Sequence, residues 1–201
     1  RVARARLGEH RARAEAGEWL LVLGAGGGVG LAAVDVGSAM GLQVIAAASS
    51  EEKRAAATAV GAVAVIDSSV EDVKARAKEI AGGDGVDLVY DPVGGSQGEQ
   101  ALRALREDGQ FIVIGFASGD IPKLPANQVL LRNRRVTGVD WGAWAGRNPA
   151  DNQRMLEAVL AAIDRGELHP VEPRTYPLED AAQAMRDQLE RRVTGKSVLI
   201  P

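Results

Sequence analysis

Residues 19–40 constrain this chain more than any other feature: WLLVL, then GAGGGVG, then LAAVDVGSAM. Five consecutive apolar residues have the length of a strand buried on both faces, the kind found in parallel sheets. The glycine-rich turn leads into Val29, Ala32, Ala33, Val36 and Met40 at helical spacing, and Gly41 closes that helix. Strand, tight turn and helix in this order open a βαβ unit. The alternation then repeats, with strands expected over 43–48, 62–66, 86–90 and 110–115. Helices are expected between them over 51–60, 70–81 and 98–106. Residues 117–127, with Gly119, Pro122 and Pro125, read as a long loop. A short helix over 129–134, a sixth strand over 135–140 and a helix through Met155, Leu156, Val159, Leu160 and Ile163 follow. The tail reads as a strand at 174–176, a helix over 179–190 and a strand at 197–200, and it breaks the alternation.

The fold class expected is therefore α/β: a doubly wound, parallel, six-stranded Rossmann sheet with a C-terminal tail. Residues 1–16 are expected to form a lead-in helix, 17–172 the nucleotide-binding domain and 173–201 the tail. A length of 201 residues suits about one large domain. A chain of this size buries about 70% of its unfolded surface and needs no covalent staples.

Composition removes several classes of function. There is no cysteine, hence no disulfide framework and no thiolate metal site, and His10 and His169 are too few for a histidine-rich metal centre. A net charge of −3 gives no basic footprint for nucleic acid. No apolar run reaches membrane-spanning length and no signal peptide is visible, so a cytoplasmic protein is expected. The chain begins on Arg1 rather than Met, which suggests a processed end or a piece of a longer protein.

The turn fits G-x-G-x-x-G with Ala25 in the first slot and Gly27 and Gly30 in the others. The first small residue permits the tight turn, Gly27 lets the backbone approach a pyrophosphate, and Gly30 lets the helix pack on the strand. The helix N-terminus offers free N–H groups and a positive dipole to phosphates. A Walker A loop is excluded, because no Gly-Lys-Ser/Thr ends the motif. NAD sites place Asp or Glu about 20 residues beyond such a loop, on the ribose 2′-hydroxyl. Here the second strand ends Ala47-Ala48-Ser49-Ser50 and Lys53 and Arg54 follow, a hydroxyl and cations that suit a 2′-phosphate. Ser49 with Glu52 also has the spacing of a capping box, which by itself accounts for a serine there. Other strand ends face the same crevice: Asp91 to Gly95, Gly115 to Gly119, and Asp140 to Gly142. Phe116 and Trp141 suit either the flank of a flat ring or ordinary packing. Tyr90 closes a buried strand and reads as packing, Asp91 as the residue that orders its Pro-Gly loop, and His169 as a surface residue.

GEWLLVLGAGGGVGLAAV, VDLVYDPVGG, IVIGFASGDIPKLPANQVLLRN and TGKSVLIP occur in an order that resembles the zinc-independent quinone oxidoreductases. These form the zeta-crystallin-like branch of the medium-chain dehydrogenase/reductase superfamily. The likeness runs from about residue 15 to the end, and the lack of cysteine is consistent with the zinc-free branch. It implies an NADPH-dependent reductase that transfers hydride to a quinone or an alkene conjugated to a carbonyl. It implies Ala25, Gly26, Gly27, Gly28 and Val29 at the pyrophosphate, and Ser50 and Lys53 at the 2′-phosphate. Gly115, Phe116, Ala117, Asp140 and Trp141 would line the nicotinamide, with Arg192 and Lys196 returning from the last loop, and Gly94, at the end of the fourth strand, would let the backbone approach the cofactor closely. It further implies a small-molecule substrate, no nucleic acid, no membrane, and a homodimer paired through the sixth-strand edge.

Two departures accompany the likeness. Ser68 stands where the family often has an aromatic residue, and nothing in the chain corresponds to the family's N-terminal GroES-like domain. The expectation is therefore the cofactor-binding portion of such a reductase, with no strong catalytic acid or base assigned. A non-catalytic NADP(H)-binding unit is the alternative. RNA binding is disfavoured by the charge and by the lack of a basic, aromatic platform.

Overall fold

The computed structural model describes residues 12–201. The expected lead-in helix falls largely on residues outside that range. Within it, residues 12–15 have no regular structure and a turn follows at 16–17.

Six parallel strands form the main sheet: β1 (Trp19–Val22), β2 (Gln43–Ala48), β3 (Ala64–Asp67), β4 (Val86–Asp91), β5 (Leu105–Val113) and β6 (Arg135–Gly138). Their order is β3-β2-β1-β4-β5-β6, so the winding reverses between β1 and β4. The apolar strand sequences are explained by burial on both faces. Successive side chains point to opposite sides. Leu21, Ile45, Val89 and Phe111 meet helices α3 (Val73–Ile80) and α4 (Gly95–Ala104). Leu20, Val22, Val44, Leu88 and Ile112 meet α1 (Gly28–Ala39) and α2 (Glu51–Ala59). This is the doubly wound arrangement expected from the alternation.

The boundaries teach more than the assignments. Pairing of β5 with β4 jumps from Val86 opposite Leu105 to Leu88 opposite Gln110. The polar residues Arg106, Glu107 and Asp108 bulge out at that point, with Asp108 at a φ of 60°. The expected start at Gln110 is therefore where regular pairing resumes. The buried Arg134 guanidinium donates to the carbonyls of Leu105 and Arg106 and braces the bulge. Helix α5 is Ala126–Leu130 rather than the later segment expected, because Pro125 opens it and Asn133, at a φ of 50°, ends its closing turn. A helix absent from the sequence reading, α6 (Trp141–Arg147), begins on Asp140, and α7 (Pro149–Asp164) follows it.

The tail also corrects an expectation. Strand β7 (Arg174–Pro177), a single 3₁₀ turn (Leu178–Asp180), α8 (Ala181–Leu189) and β8 (Ser197–Ile200) form another parallel βαβ unit in a separate two-stranded sheet. The alternation continues there in topology. It loses the apolar signature, because most of both strands is exposed.

Candidate functional site

The crevice lies where the winding reverses, at the carboxyl ends of β1 and β4. Helices α2, α3 and α6 are capped by the side chains of Ser50, Asp72 and Asp140. Helices α1 and α4, which begin beside the crevice, start behind Gly27 and Gly94, and among the described residues no side chain caps either. The first turn of α1 holds no acidic residue. Its N-terminal N–H groups and positive end are therefore left for an acceptor from elsewhere.

The glycine loop has the mechanics its spacing implied. Ala25 is fully buried and its N–H donates to the Ala47 carbonyl at 3.0 Å. A Cβ at Gly30 would run into the Gly24 carbonyl, so glycine permits the helix to seat against the turn. Gly27 is exposed and has nothing nearer than 3.5 Å to the place of a Cβ, which leaves its backbone approachable. Val29 projects outward from the first helical turn.

The tail closes over this loop. The Gly195 N–H donates to the Gly26 carbonyl at 2.9 Å, and Gly27 and Gly195 form a parallel bridge. The carbon chain of Lys53 lies against Gly26 and that of Lys196 against Gly28, filling the places a Cβ would take. The Lys53 ammonium donates to the Arg191 carbonyl at 2.5 Å, and Thr194 Oγ1 donates to Glu52 at 2.8 Å. Two of the expected cations thus meet at the loop. The Arg192 guanidinium is engaged elsewhere: it donates to Asp187 at 2.9 and 3.1 Å and pairs with Glu190 at 2.6 Å. The capping box is corrected by one residue. Ser50, not Ser49, accepts the Lys53 N–H at 3.4 Å, and Glu52 serves Thr194 instead. The Ser50 hydroxyl proton remains available to an acceptor.

At the other end, Asp91 is fully buried and its Oδ1 accepts the N–H groups of Val93 and Gly94, each at 2.8 Å. It orders the Pro-Gly loop, as the sequence suggested. Its Oδ2 is buried without a partner, and burial pushes the carboxyl above the usual carboxylate range. Burial likewise raises the Tyr90 phenol. Gly94 has a φ of 74°, and a Cβ there would meet Phe116 and the Asp120 carbonyl. The N–H groups of Gly115, Ala117 and Ser118 donate to the carbonyls of Asp91, Pro92 and Val93, so the β4 and β5 loops are laced together. Phe116 is 42% exposed and Trp141 56%, which removes core packing as their explanation. Asp140 caps α6 by accepting the Ala143 N–H at 3.0 Å. His169 is largely exposed, and its N–H donates to Asp35 on α1 at 2.6 Å.

Sequence reasoning missed Thr194, Gly195 and the Arg191 carbonyl. Only the Thr-Gly-Lys triplet hinted at them, since Gly195 has a φ of 77°. Among the described residues, no group of three or more His, Asp or Glu could hold a metal. No helix there is long and apolar enough to cross a membrane.

Comparison with known proteins agrees with this geometry. Residues 28–161 match the family described as zinc-binding dehydrogenase, although that span contains neither cysteine nor histidine. Quinone oxidoreductase-like protein 2 of Bos taurus is 36% identical over 192 residues, covering 95% of this chain and 55% of that protein. A 2-haloacrylate reductase of a Burkholderia species is 31% identical over 191 residues, covering 92% of this chain and 56% of the enzyme. The crystal structure of Escherichia coli quinone oxidoreductase complexed with NADPH superposes with a TM-score of 0.86 at 28% identity, covering 100% of this chain and 62% of that one. The chain thus spans a little over half the length of the curated relatives it matches. Sheet order, glycine loop and these likenesses together place the chain in the zinc-binding dehydrogenase family, in the zinc-independent quinone oxidoreductase branch of the medium-chain dehydrogenases/reductases.

Proposed function

We propose that this chain is the NADP(H)-binding part of an oxidoreductase that reduces a quinone or an alkene conjugated to a carbonyl. The observation that carries the reading is the meeting of Lys53 and Lys196 over a glycine loop whose helix begins uncapped. No acid ends β2, where an NAD enzyme needs one for the ribose hydroxyl. The E. coli relative, solved with NADPH, and the 2-haloacrylate reductase support the cofactor and the activated-alkene class.

The chemistry supplied when NADPH is bound is a hydride from C4 of the nicotinamide. This chain's residues bind and orient. The N–H groups opening α1, with Gly26, Gly27 and Gly28, take the pyrophosphate, and Val29 covers it. The Ser50 hydroxyl would donate a hydrogen bond to the 2′-phosphate, and Lys53 and Lys196 would balance its charge, with Arg192 able to join only by leaving Asp187. The laced loops of Gly94, Gly115, Phe116 and Ala117, with Asp140 and Trp141, flank the nicotinamide. No side chain is assigned a proton transfer, so placement supplies the catalysis. The exposed outer edge of β6, with Val136, Leu130 and Leu131 outward, pairs with a second copy to form a homodimer.

Calorimetric titration tests the cofactor. NADPH should bind at least about tenfold tighter than NADH, a gap of about 1.4 kcal/mol, and Lys53→Glu should erase the difference. Equal affinities in the unaltered chain would sink the assignment. Turnover is a separate measurement, in which NADPH oxidation is followed with a quinone and with an enone.

A further inference from the structure

The last turn of α8 is built in an unusual way. Arg191 sits at a φ of 57°, a place that glycine normally takes at a helix end. Its N–H donates to the Gln188 carbonyl at 3.1 Å, and the Arg192 N–H donates to the Asp187 carbonyl at 2.8 Å. These two bonds turn the Arg191 carbonyl toward the Lys53 ammonium, 2.5 Å away. An arginine in left-handed backbone needs support from its surroundings.

Asp187 supplies that support. The residue is only 5% exposed, and its carboxylate gathers several donors. Oδ1 accepts from Gln183 Nε2 at 2.7 Å and from Arg192 Nη2 and Nε at 2.9 and 3.1 Å. Oδ2 accepts the Tyr176 hydroxyl at 2.9 Å, and the Arg174 guanidinium lies 3.8 Å away, over the Tyr176 ring. The hydrogen bonds from the Tyr176 hydroxyl, Gln183 and Arg192 hold the Asp187 carboxyl below the usual carboxylate range despite its burial, so it is charged at neutral pH. The connections run without a break: β7 and α8 hold Asp187, Asp187 holds Arg192, and the Arg191 carbonyl holds Lys53, whose carbon chain lies on Gly26.

We propose that Asp187 is a positioning residue for the cofactor site: through Arg192 and the turn ending α8 it presents the Arg191 carbonyl to Lys53, and so aims the cation that separates NADPH from NADH. This rests on the cofactor reading above. Asp187 touches no cofactor itself. While Arg192 stays on Asp187, the effect reaches the site through Lys53, so it bears on the 2′-phosphate rather than on the rings.

The test is a double-mutant cycle read as two dissociation constants, with folding checked by circular dichroism. Asp187→Asn in this chain should raise the NADPH dissociation constant about tenfold, the size expected for loosening a charged hydrogen-bond partner, and leave that of NADH within about twofold. In a Lys53→Met background the same change should move NADPH binding by less than about twofold. If Asp187→Asn does not fold, Arg192→Gln keeps the Tyr176 and Gln183 bonds to Asp187 and carries the same expectation. Equal weakening of both nucleotides, or full additivity with Lys53→Met, overturns the proposal. The latter would instead mark Arg192 as a direct phosphate contact. An unaltered chain that binds both nucleotides equally overturns the cofactor reading and this inference with it. An unaltered chain that prefers NADPH, beside an Asp187→Asn that keeps the whole preference, overturns this inference alone.

Discussion

Two of the parallel βαβ units, β1-α1-β2 and β7-α8-β8, share a topology but are held together by different forces. In the first, Leu21, Val22, Val44 and Ile45 are wholly buried between two layers of helices. In the second, Tyr176 is the buried member of β7, and Val198, Leu199 and Ile200 of β8 are 40–49% exposed. A two-stranded sheet has too little apolar contact to stand alone in water. The tail unit relies instead on the bonds around Asp187 and on its hold upon the glycine loop. Apolar burial fixes the main sheet without regard to any ligand, whereas polar contacts tie the tail to the place where a ligand is proposed.

The contrast breaks most visibly in the main sheet. Phe111→Ala should cost about 3–5 kcal/mol, because a fully buried ring leaves a cavity between β5 and its helices. Urea unfolding followed by circular dichroism measures it, and a loss no greater than that from tail substitutions would show that the two units are held by the same forces. A smaller effect sharpens it at Asp91, a buried carboxyl of the main sheet whose Oδ2 has no hydrogen-bond partner among the described residues. The folded carboxyl of Asp91 titrates above its unfolded value. Its contribution is therefore complete below about pH 4, the ordinary aspartate range, and is lost as pH rises through the raised folded value. Asp91→Asn keeps an oxygen for the Val93 and Gly94 N–H groups and removes the charge. Its urea midpoint should stay flat over the interval in which the unaltered chain weakens, and parallel curves would refute this. The smallest effect lies in the tail. Arg191→Gly relieves the left-handed backbone while leaving the carbonyl in place, and should stabilise by up to about 1 kcal/mol, less the greater freedom of glycine when unfolded. Amide exchange of β7 and β8, which reports local opening, should slow accordingly.

The main sheet was legible because its signal is periodic. Continuous apolar runs such as WLLVL mark strands buried on both faces, and glycine punctuation marks the turns. The roles of Ala25, Gly27 and Gly30 followed from spacing, since close approach within a local turn is a local property. The tail strands were found at nearly their true places, yet their parallel pairing was not, because exposed strands containing Arg174 and Pro177 carry no burial pattern. Helix α6 went unseen because WGAWAGR lacks an apolar stripe and owes its start to the Asp140 cap. Ser49 has Glu52 at the capping-box spacing while Ser50 is followed by Lys53, and only the turn of the chain made Ser50 the cap.

By itself the sequence determined a wound parallel sheet, a phosphate-binding type of turn and the family that owns both, since these follow from patterns over neighbouring residues. Only the tertiary structure decided that the tail folds over the loop. It decided too that Lys53 is held by a backbone carbonyl from 138 residues away and that Arg192 answers to Asp187. The physical reason is that the contacts decisive here, Gly195 to Gly26 and Lys53 to Arg191, are made by or to main-chain atoms. Every residue carries such atoms, so no choice of side chain announces them until the chain has folded.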